Sequence, residues 1–295
     1  MLRETTMRWG DLRRSSNVED RRGMRMPGGR GGGLGIGTIL VLGIVGYALG
    51  IDPRILIGGA EMLQGGGSGY EQQAPGREGA PDDETGQFIS AVLGSSEDIW
   101  GQIFSESGGE YREPRLVVFS GATQSACGLG QSAMGPFYCP GDQRIYLDTS
   151  FFQELAQRFR APGEFANAYV IAHEIGHHVQ NLIGILPRVN AQRQSLPQAQ
   201  ANALSVRVEL QADCFAGVWA HHAEQRFKIL EEGDVEAALN AASAIGDDKL
   251  QRQSQGMVVP DSFTHGSSAQ RVQWFRTGLQ SGSLRSCDTF SANPS

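Results

Sequence analysis

Three of the chain's six histidines fall within AHEIGHHVQN, residues 172–181, together with one glutamate. On a helix, His173 and His177 lie one turn apart on the same face, so both can bind one metal ion. Glu174 lies one step around the helix, where it can reach a water molecule on that ion. This H-E-x-x-H spacing is typical of zinc sites in which the glutamate acts as the base. The alternative is a core helix whose histidines are hydrogen-bonded.

A catalytic zinc site needs a third protein ligand and an open position. A histidine ten residues after His173 is excluded, because that position is Ile183. In VELQADCFAG, Glu209 can supply a carboxylate, and Asp213 lies one turn further along the same face. We predict that Glu209 binds Zn²⁺ and that Asp213 accepts the far ring N–H of a ligand histidine. The alternative is a repelling pair of surface acids, which the apolar neighbours disfavour.

The remaining histidines are weaker candidates. His178 is rotated by about 100° from His177, so we expect it to form hydrogen bonds in the core. His221 and His222 follow Glu209 by three turns and are expected at the far end of its helix.

A second polar cluster occurs in PDSFTHGSSAQRVQWF, residues 260–275, which contains His265 and Arg271. Hydrolysis builds negative charge on a carbonyl oxygen, and an imidazole or guanidinium donor stabilises that charge. Both residues are therefore candidates for catalysis. The alternative is helix capping by Thr264 or Ser267, with a solvated Arg271.

Periodicity predicts the elements that position these residues. Helices outnumber strands, and the strands precede most of the helices, which favours an α+β fold, mainly helical with a small antiparallel sheet. Strands are predicted at 115–120 and 144–148, and helices at 151–159, 164–183, 199–228 and 268–279. Another helix is expected near Phe88 to Ile103, interrupted around Gly94.

Four cysteines, at 127, 139, 214 and 287, allow three disulfide pairings. We prefer Cys127–Cys139, which closes a short glycine-rich loop, and Cys214–Cys287, which ties the C-terminus to an interior helix. The alternative is four reduced cysteines acting as small apolar residues.

The N-terminal region predicts membrane attachment. Residues 1–33 are polar and basic, and the uncharged residues 34–51 are just long enough for one transmembrane helix. Arginines before this segment predict a single-pass protein with its N-terminus in the cytoplasm. Residues 52–86 are expected to form a flexible linker, and residues 87–295 the catalytic domain, in the periplasm or outside the cell. A cleaved signal peptide is the main alternative, and a buried helix of a soluble protein is a further one. A net charge of −7 argues against nucleic acid as a partner.

Five stretches resemble the bacterial family of putative neutral zinc metallopeptidases: CGLGQSAMGPFYCPGDQRIYLD, AYVIAHEIGHHVQN, RVELQADCFAGVWA, AASAIGDDKLQ and PDSFTHGSSAQRVQWF. The resemblance covers the chain from about residue 87 to its end, and also the basic and hydrophobic segments near its start. It implies a zincin-like domain that hydrolyses peptide or protein substrates.

A more distant resemblance is to the gluzincin arrangement of the heat-shock and CAAX-processing membrane endopeptidases. It implies the zinc ligands His173, His177 and Glu209, with Glu174 as general base and Asp213 supporting a ligand. THGSSAQR is similar to the T-H-P-x-x-x-x-R element of those enzymes, which implies roles for His265 and Arg271, although Gly266 stands in place of the proline. The expected function is that of a zinc-dependent endopeptidase. The alternative is a catalytically silent, zinc-stabilised envelope scaffold.

Overall fold

Eight α-helices carry most of the residues that this computed structural model describes, which are 7–24, 76–79 and 81–291. The fold is mixed α+β and mostly helical, as predicted. The helices are α1 (Glu84–Glu106), α2 (Ser150–Gln157), α3 (Glu164–Leu182), α4 (Ile185–Arg193), α5 (Gln198–Phe227), α6 (Asp234–Ala244), α7 (Asp247–Gln255) and α8 (Ser268–Ser281).

Two sheets accompany the helices. A two-stranded sheet pairs β4 (Ala122–Ser125) with β5 (Gly128–Gln131). A five-stranded sheet has the order β2-β1-β3-β7-β6, formed by β1 (Val18–Asp20), β2 (Arg77–Glu78), β3 (Arg115–Phe119), β6 (Phe137–Cys139) and β7 (Arg144–Asp148).

The larger sheet is mixed, so the prediction of a purely antiparallel sheet is wrong. Strands β1, β3 and β7 run parallel, and the outer strands β2 and β6 pair antiparallel with their neighbours. The parallel pairing of β3 with β7 is possible because residues 120–143 form a long connection that supplies the β4–β5 hairpin and the edge strand β6.

The N-terminal segment, residues 7–24, is part of this fold, so the prediction that the domain begins near Gln87 is wrong. Its side chains Met7, Leu12 and Val18 are buried in the main core. The buried carboxylate of Glu97 accepts hydrogen bonds from Arg13, Ser15 and Asn17, three residues of the segment. The polar sequence of the segment suggested that it lies outside the domain, but its polar groups bind partners inside the protein.

Strand β1 also constrains the membrane topology. It lies between β2 and β3, so residues 7–24 and 76–291 must share one compartment. The predicted topology places residues 1–33 in the cytoplasm and the domain on the other side of the membrane. This topology is therefore incompatible with the fold. Residues 34–51, predicted to be the transmembrane helix, lie outside the described residues, as does most of the predicted linker. Within the described part of the chain, no helix is long and apolar enough to cross a bilayer.

Helix α1 runs through Gly94 without the predicted interruption, and the glycine is instead a point of close contact. A Cβ atom at this position would lie 2.3 Å from the backbone oxygen of Arg13. The glycine therefore allows the N-terminal segment to lie directly against the helix, and Ser15 donates its backbone N–H to the oxygen of Ser90 nearby.

Both predicted disulfides are present. Cys127–Cys139 joins the turn between β4 and β5 to β6. Cys214–Cys287 joins α5 to the C-terminal segment. Helix α5 packs against both α3 and α8. At Gly176 a Cβ atom would meet the Ala212 oxygen at 3.0 Å, so this glycine permits the close approach of α3 and α5.

Candidate metal centre

Helix α3 presents the histidines of the H-E-x-x-H motif on one face. The ring centroids of His173 and His177 are 4.7 Å apart. The preceding turns of the helix are apolar and buried, which places both rings beneath the surface. One helical turn separates the two residues, as their spacing predicts.

Glu209 on α5 faces these rings from the neighbouring helix. Its carboxylate oxygens lie 3.2 Å from Nε2 of His173 and 3.6 Å from Nε2 of His177. Burial alone would raise the pKa of Glu209, but the two imidazoles outweigh it and lower the pKa well below its usual value. The carboxylate is therefore ionised, as a metal ligand must be.

This donor set fits Zn²⁺. Two atoms that each lie about 2.05 Å from a tetrahedral zinc ion are about 3.3 Å apart, close to the two distances at Glu209. The three ligand atoms all lie within 4.8 Å of one another. Two imidazole nitrogens and one carboxylate oxygen are also the ligand types of catalytic zinc sites.

Asp213 lies directly behind the first ligand. Its Oδ1 is 2.9 Å from Nδ1 of His173 and accepts a hydrogen bond from the Tyr169 hydroxyl. Arg271 donates to both of its oxygens, at 2.8 and 2.9 Å. Burial alone would raise the pKa of Asp213, but Arg271 and His173 lower it to about 2. An ionised Asp213 keeps the proton of His173 on Nδ1 and leaves Nε2 free to bind metal.

His177 has a different partner behind it. Its Nδ1 lies 2.9 Å from Oε1 of Gln180, one turn further along α3. The Gln180 side chain is fully buried. Each candidate ligand histidine is thus oriented through its far nitrogen, His173 by a carboxylate and His177 by an amide.

Glu174 directly follows the first candidate ligand along α3. It lies on α3 between the two ligands and is only 7% exposed. No described residue donates a hydrogen bond to its carboxylate. A carboxylate with no protein donor is available to a water molecule.

His265 lies on the loop before α8, and Asp247 at the start of α7 holds it. Nδ1 of His265 is 3.2 Å from the Asp247 carboxylate and 3.0 Å from the Thr264 hydroxyl oxygen. Asp247 also accepts the backbone N–H groups of Thr264, His265 and Gly266, which fixes the loop. Burial lowers the pKa of His265, but Asp247 and Glu209 outweigh that effect and raise it. With Nδ1 engaged, Nε2 is the ring atom that remains available as a donor.

Arg271 lies neither at the open side of the candidate site nor in solvent, the two places that the sequence suggested. Its side chain is 2% exposed and lies behind His173, where it pairs with Asp213 and donates to the Tyr169 hydroxyl at 3.2 Å. A guanidinium so buried cannot contact a peptide on the open side of the ligands. In the structure Arg271 is thus the buried ion-pair partner of Asp213, a place that does not match the catalytic role predicted for it.

The other histidines lie away from the cluster. His178 is buried, with ring nitrogens bonded to the Arg112 carbonyl and the Tyr138 hydroxyl. Burial lowers the pKa of His178 to about 4, so it is a neutral core residue. His221 and His222 bond to the backbone oxygens of Leu279 and Gly282, at the end of α8.

Sequence reasoning missed three residues of this site: Tyr169, Gln180 and Asp247. Tyr169 precedes His173 by four residues and Gln180 follows His177 by three, so helical spacing alone places each beside a ligand. Asp247 had no comparable signal, because the contact with His265 joins two segments 18 residues apart.

Two histidines one helical turn apart, a candidate glutamate ligand from a second helix and the glutamate of the H-E-x-x-H motif together match the metal sites of zinc-dependent hydrolases. Within that class, the chain belongs to the family described as "Putative neutral zinc metallopeptidase", whose model matches residues 7–290. The matched range includes the N-terminal segment and the whole candidate site.

Two uncharacterised bacterial proteins are similar over most of their length. YpfJ of Escherichia coli (strain K12) is 49% identical over 295 residues, covering 96% of this chain and 99% of YpfJ. Rv2575 of Mycobacterium tuberculosis (strain H37Rv) is 41% identical over 261 residues, covering 83% of this chain and 84% of Rv2575. No solved structure matches significantly.

Proposed function

We propose that this protein is a zinc-dependent endopeptidase. The observation that carries the proposal is the convergence of three ligand atoms within 4.8 Å of one another, with Glu174 directly after the first ligand on the same helix. A purely structural zinc site has no need of a base beside an open position.

His173, His177 and Glu209 would hold the ion. Zinc in such a site polarises a peptide carbonyl and lowers the pKa of a water molecule. Glu174 accepts the proton of that water on its carboxylate and returns it to the leaving amine. His265, oriented by Asp247, donates from Nε2 to the negative charge that develops on the carbonyl oxygen. Asp213 and Arg271 act through His173 and keep its tautomer fixed.

The test is Glu174→Gln, which keeps the size of the side chain and removes its basicity. The variant should bind one zinc ion per chain, like the wild type, and should lose cleavage of an unfolded protein such as labelled casein. His177→Ala, as the control, should lose both zinc and cleavage. Equal cleavage by Glu174→Gln and wild type would exclude the mechanism. Stoichiometric zinc in a wild-type protein that cleaves no unfolded substrate would favour the silent scaffold.

We further propose that the described fold, including residues 7–24, lies outside the cytoplasm. Two disulfides support this location, because disulfides persist in oxidising compartments. Membrane contact through residues 34–51 remains a prediction from the sequence. It requires both flanks of that segment to lie on the same side of the membrane.

A further inference from the structure

A line of buried amides leads from the second candidate ligand, His177, to a disulfide. Gln180 Oε1 faces Nδ1 of His177 at 2.9 Å. Gln180 Nε2 donates to the Val208 oxygen at 2.8 Å and to Gln211 Oε1 at 3.0 Å. Gln211 Nε2 then donates to the Cys287 oxygen at 3.0 Å. All of these amide groups lie in the core, where water is not available as a substitute partner.

The contacts determine which way the Gln180 amide points. A flipped amide would place Oε1 against the oxygens of Val208 and Gln211, so three acceptors would meet without a proton among them. The unflipped amide satisfies both acceptors and leaves its own oxygen towards His177. Nδ1 of His177 must then carry the proton, and the lone pair of that ring lies on Nε2, towards Glu209.

Gln211 needs an anchor of the same kind. Its oxygen accepts from Gln180, so its NH2 group needs an acceptor, which is the Cys287 backbone oxygen. Cys287 is bonded to Cys214, which lies on α5 one turn from Gln211. The disulfide thus keeps the backbone carbonyl of Cys287 within hydrogen-bond distance of the Gln211 amide. Without that acceptor, a buried NH2 group would lose its partner or the amide would turn over.

We propose that Gln180 is the positioning residue for His177, and that the Cys214–Cys287 disulfide maintains its orientation through Gln211. The proposal rests on the zinc site proposed above and adds to it an amide relay outside the ligands. It makes zinc affinity depend on residues that do not contact the ion. It also gives the two ligand histidines unequal support, a charged one at His173 and a neutral one at His177.

The test measures the zinc affinity of the full chain by competition with a chromogenic chelator, with zinc alone as the ligand. Gln180→Leu should weaken zinc binding roughly 10–100-fold, the usual effect of removing a partner of a ligand histidine. Gln180→Glu keeps an acceptor for His177 but sets a carboxylate against the Val208 oxygen. It should therefore lose stability in urea denaturation while its zinc affinity stays close to wild type.

The different effects on zinc affinity and on stability distinguish a positioning role from a merely structural one. A merely structural role predicts that zinc affinity follows stability in both variants. Gln180→Leu with wild-type affinity, or Gln180→Glu as weak as Gln180→Leu, would overturn the proposal. His177→Ala reports that the measured zinc is bound at this site. Absence of zinc binding in the wild type would instead refute the proposed function.

The disulfide is tested through the remote residue Gln211. Replacing Cys214 and Cys287 by alanine should weaken zinc binding in the wild-type background and have a smaller effect when Gln211 is already leucine. Such non-additivity is the sign of a shared path. An unchanged affinity after removal of the disulfide, or an equal loss in both backgrounds, would exclude the anchoring role.

Discussion

The N-terminal segment gives the strongest prediction about stability. Deleting residues 1–75 should prevent folding, whereas replacing only residues 25–75 by a short linker should leave the domain folded. The two deletions share residues 25–75 and differ in whether residues 1–24 remain. Asp20 pairs with Arg77 across β1 and β2, so the ends of the excised segment lie close together. A flexible linker of about six residues is sufficient to join Met24 to Gly76.

The expected loss follows from the buried groups of the segment. Burial of Met7, Leu12 and Val18 contributes about 1.5–3 kcal/mol each, or about 4.5–9 kcal/mol together. Glu97, which is 4% exposed, would lose its donors from the segment, and an unpaired buried carboxylate costs about 3–5 kcal/mol. The sum of about 7.5–14 kcal/mol is comparable to the whole stability of a typical domain, about 5–15 kcal/mol.

The assay is urea denaturation followed by circular dichroism, with zinc binding as a second measurement. The linker variant should unfold cooperatively and bind zinc, and residues 76–295 alone should do neither. A matched pair of point variants probes the same contact more gently. Gly94→Ala should destabilise by about 1–3 kcal/mol because its Cβ meets the Arg13 oxygen. Gly101→Ala, in open space on the same helix, should stabilise by up to about 1 kcal/mol.

Independent folding of residues 76–295, with cooperative unfolding and wild-type zinc affinity, would refute this reasoning. A stabilising Gly94→Ala would also refute it, because helix propensity alone favours alanine at both positions.

Two further predictions concern the core of the site and the compartment. Asp213→Asn leaves the Arg271 guanidinium buried without its carboxylate and should lower the free energy of unfolding by about 3–5 kcal/mol in urea with a chelator present. The double variant Asp213→Leu, Arg271→Met should recover much of that loss, and no recovery would contradict a buried ion pair. The protein is isolated without reductant, its free thiols are blocked, and it is then denatured. Thiol labelling should find no reactive cysteine before reduction and four after reduction. Four free thiols in the native chain would contradict an oxidising location.

Much of the fold was predictable because its strongest signals are local. The apolar faces of α3 and α5 and the runs at β3 and β7 fixed those elements to within two residues. The convergence of His173, His177 and Glu209 was predictable for the same reason, because each lies in a regular helix.

The parts that were missed depend on contacts between distant segments. Glu19 illustrates this, since a glutamate in a basic segment reads as exposed. In the fold it is 3% exposed and is paired with Arg21 and Arg144, which is 125 residues away. Periodicity carries no information about such a partner. The contact between Asp247 and His265 could not be predicted from the sequence for the same reason.

The position of β1 also bears on how the chain folds. Strand β1 is synthesised before its parallel partner β3, which follows almost a hundred residues later, so the two strands pair only when these distant segments meet. Loop closure of this length slows folding and prolongs exposure of unpaired backbone. Strand β1 spans only three residues and its middle residue is Glu19, two features that discourage mispairing with other chains. The early strand is thus protected from aggregation during the interval before its partner arrives.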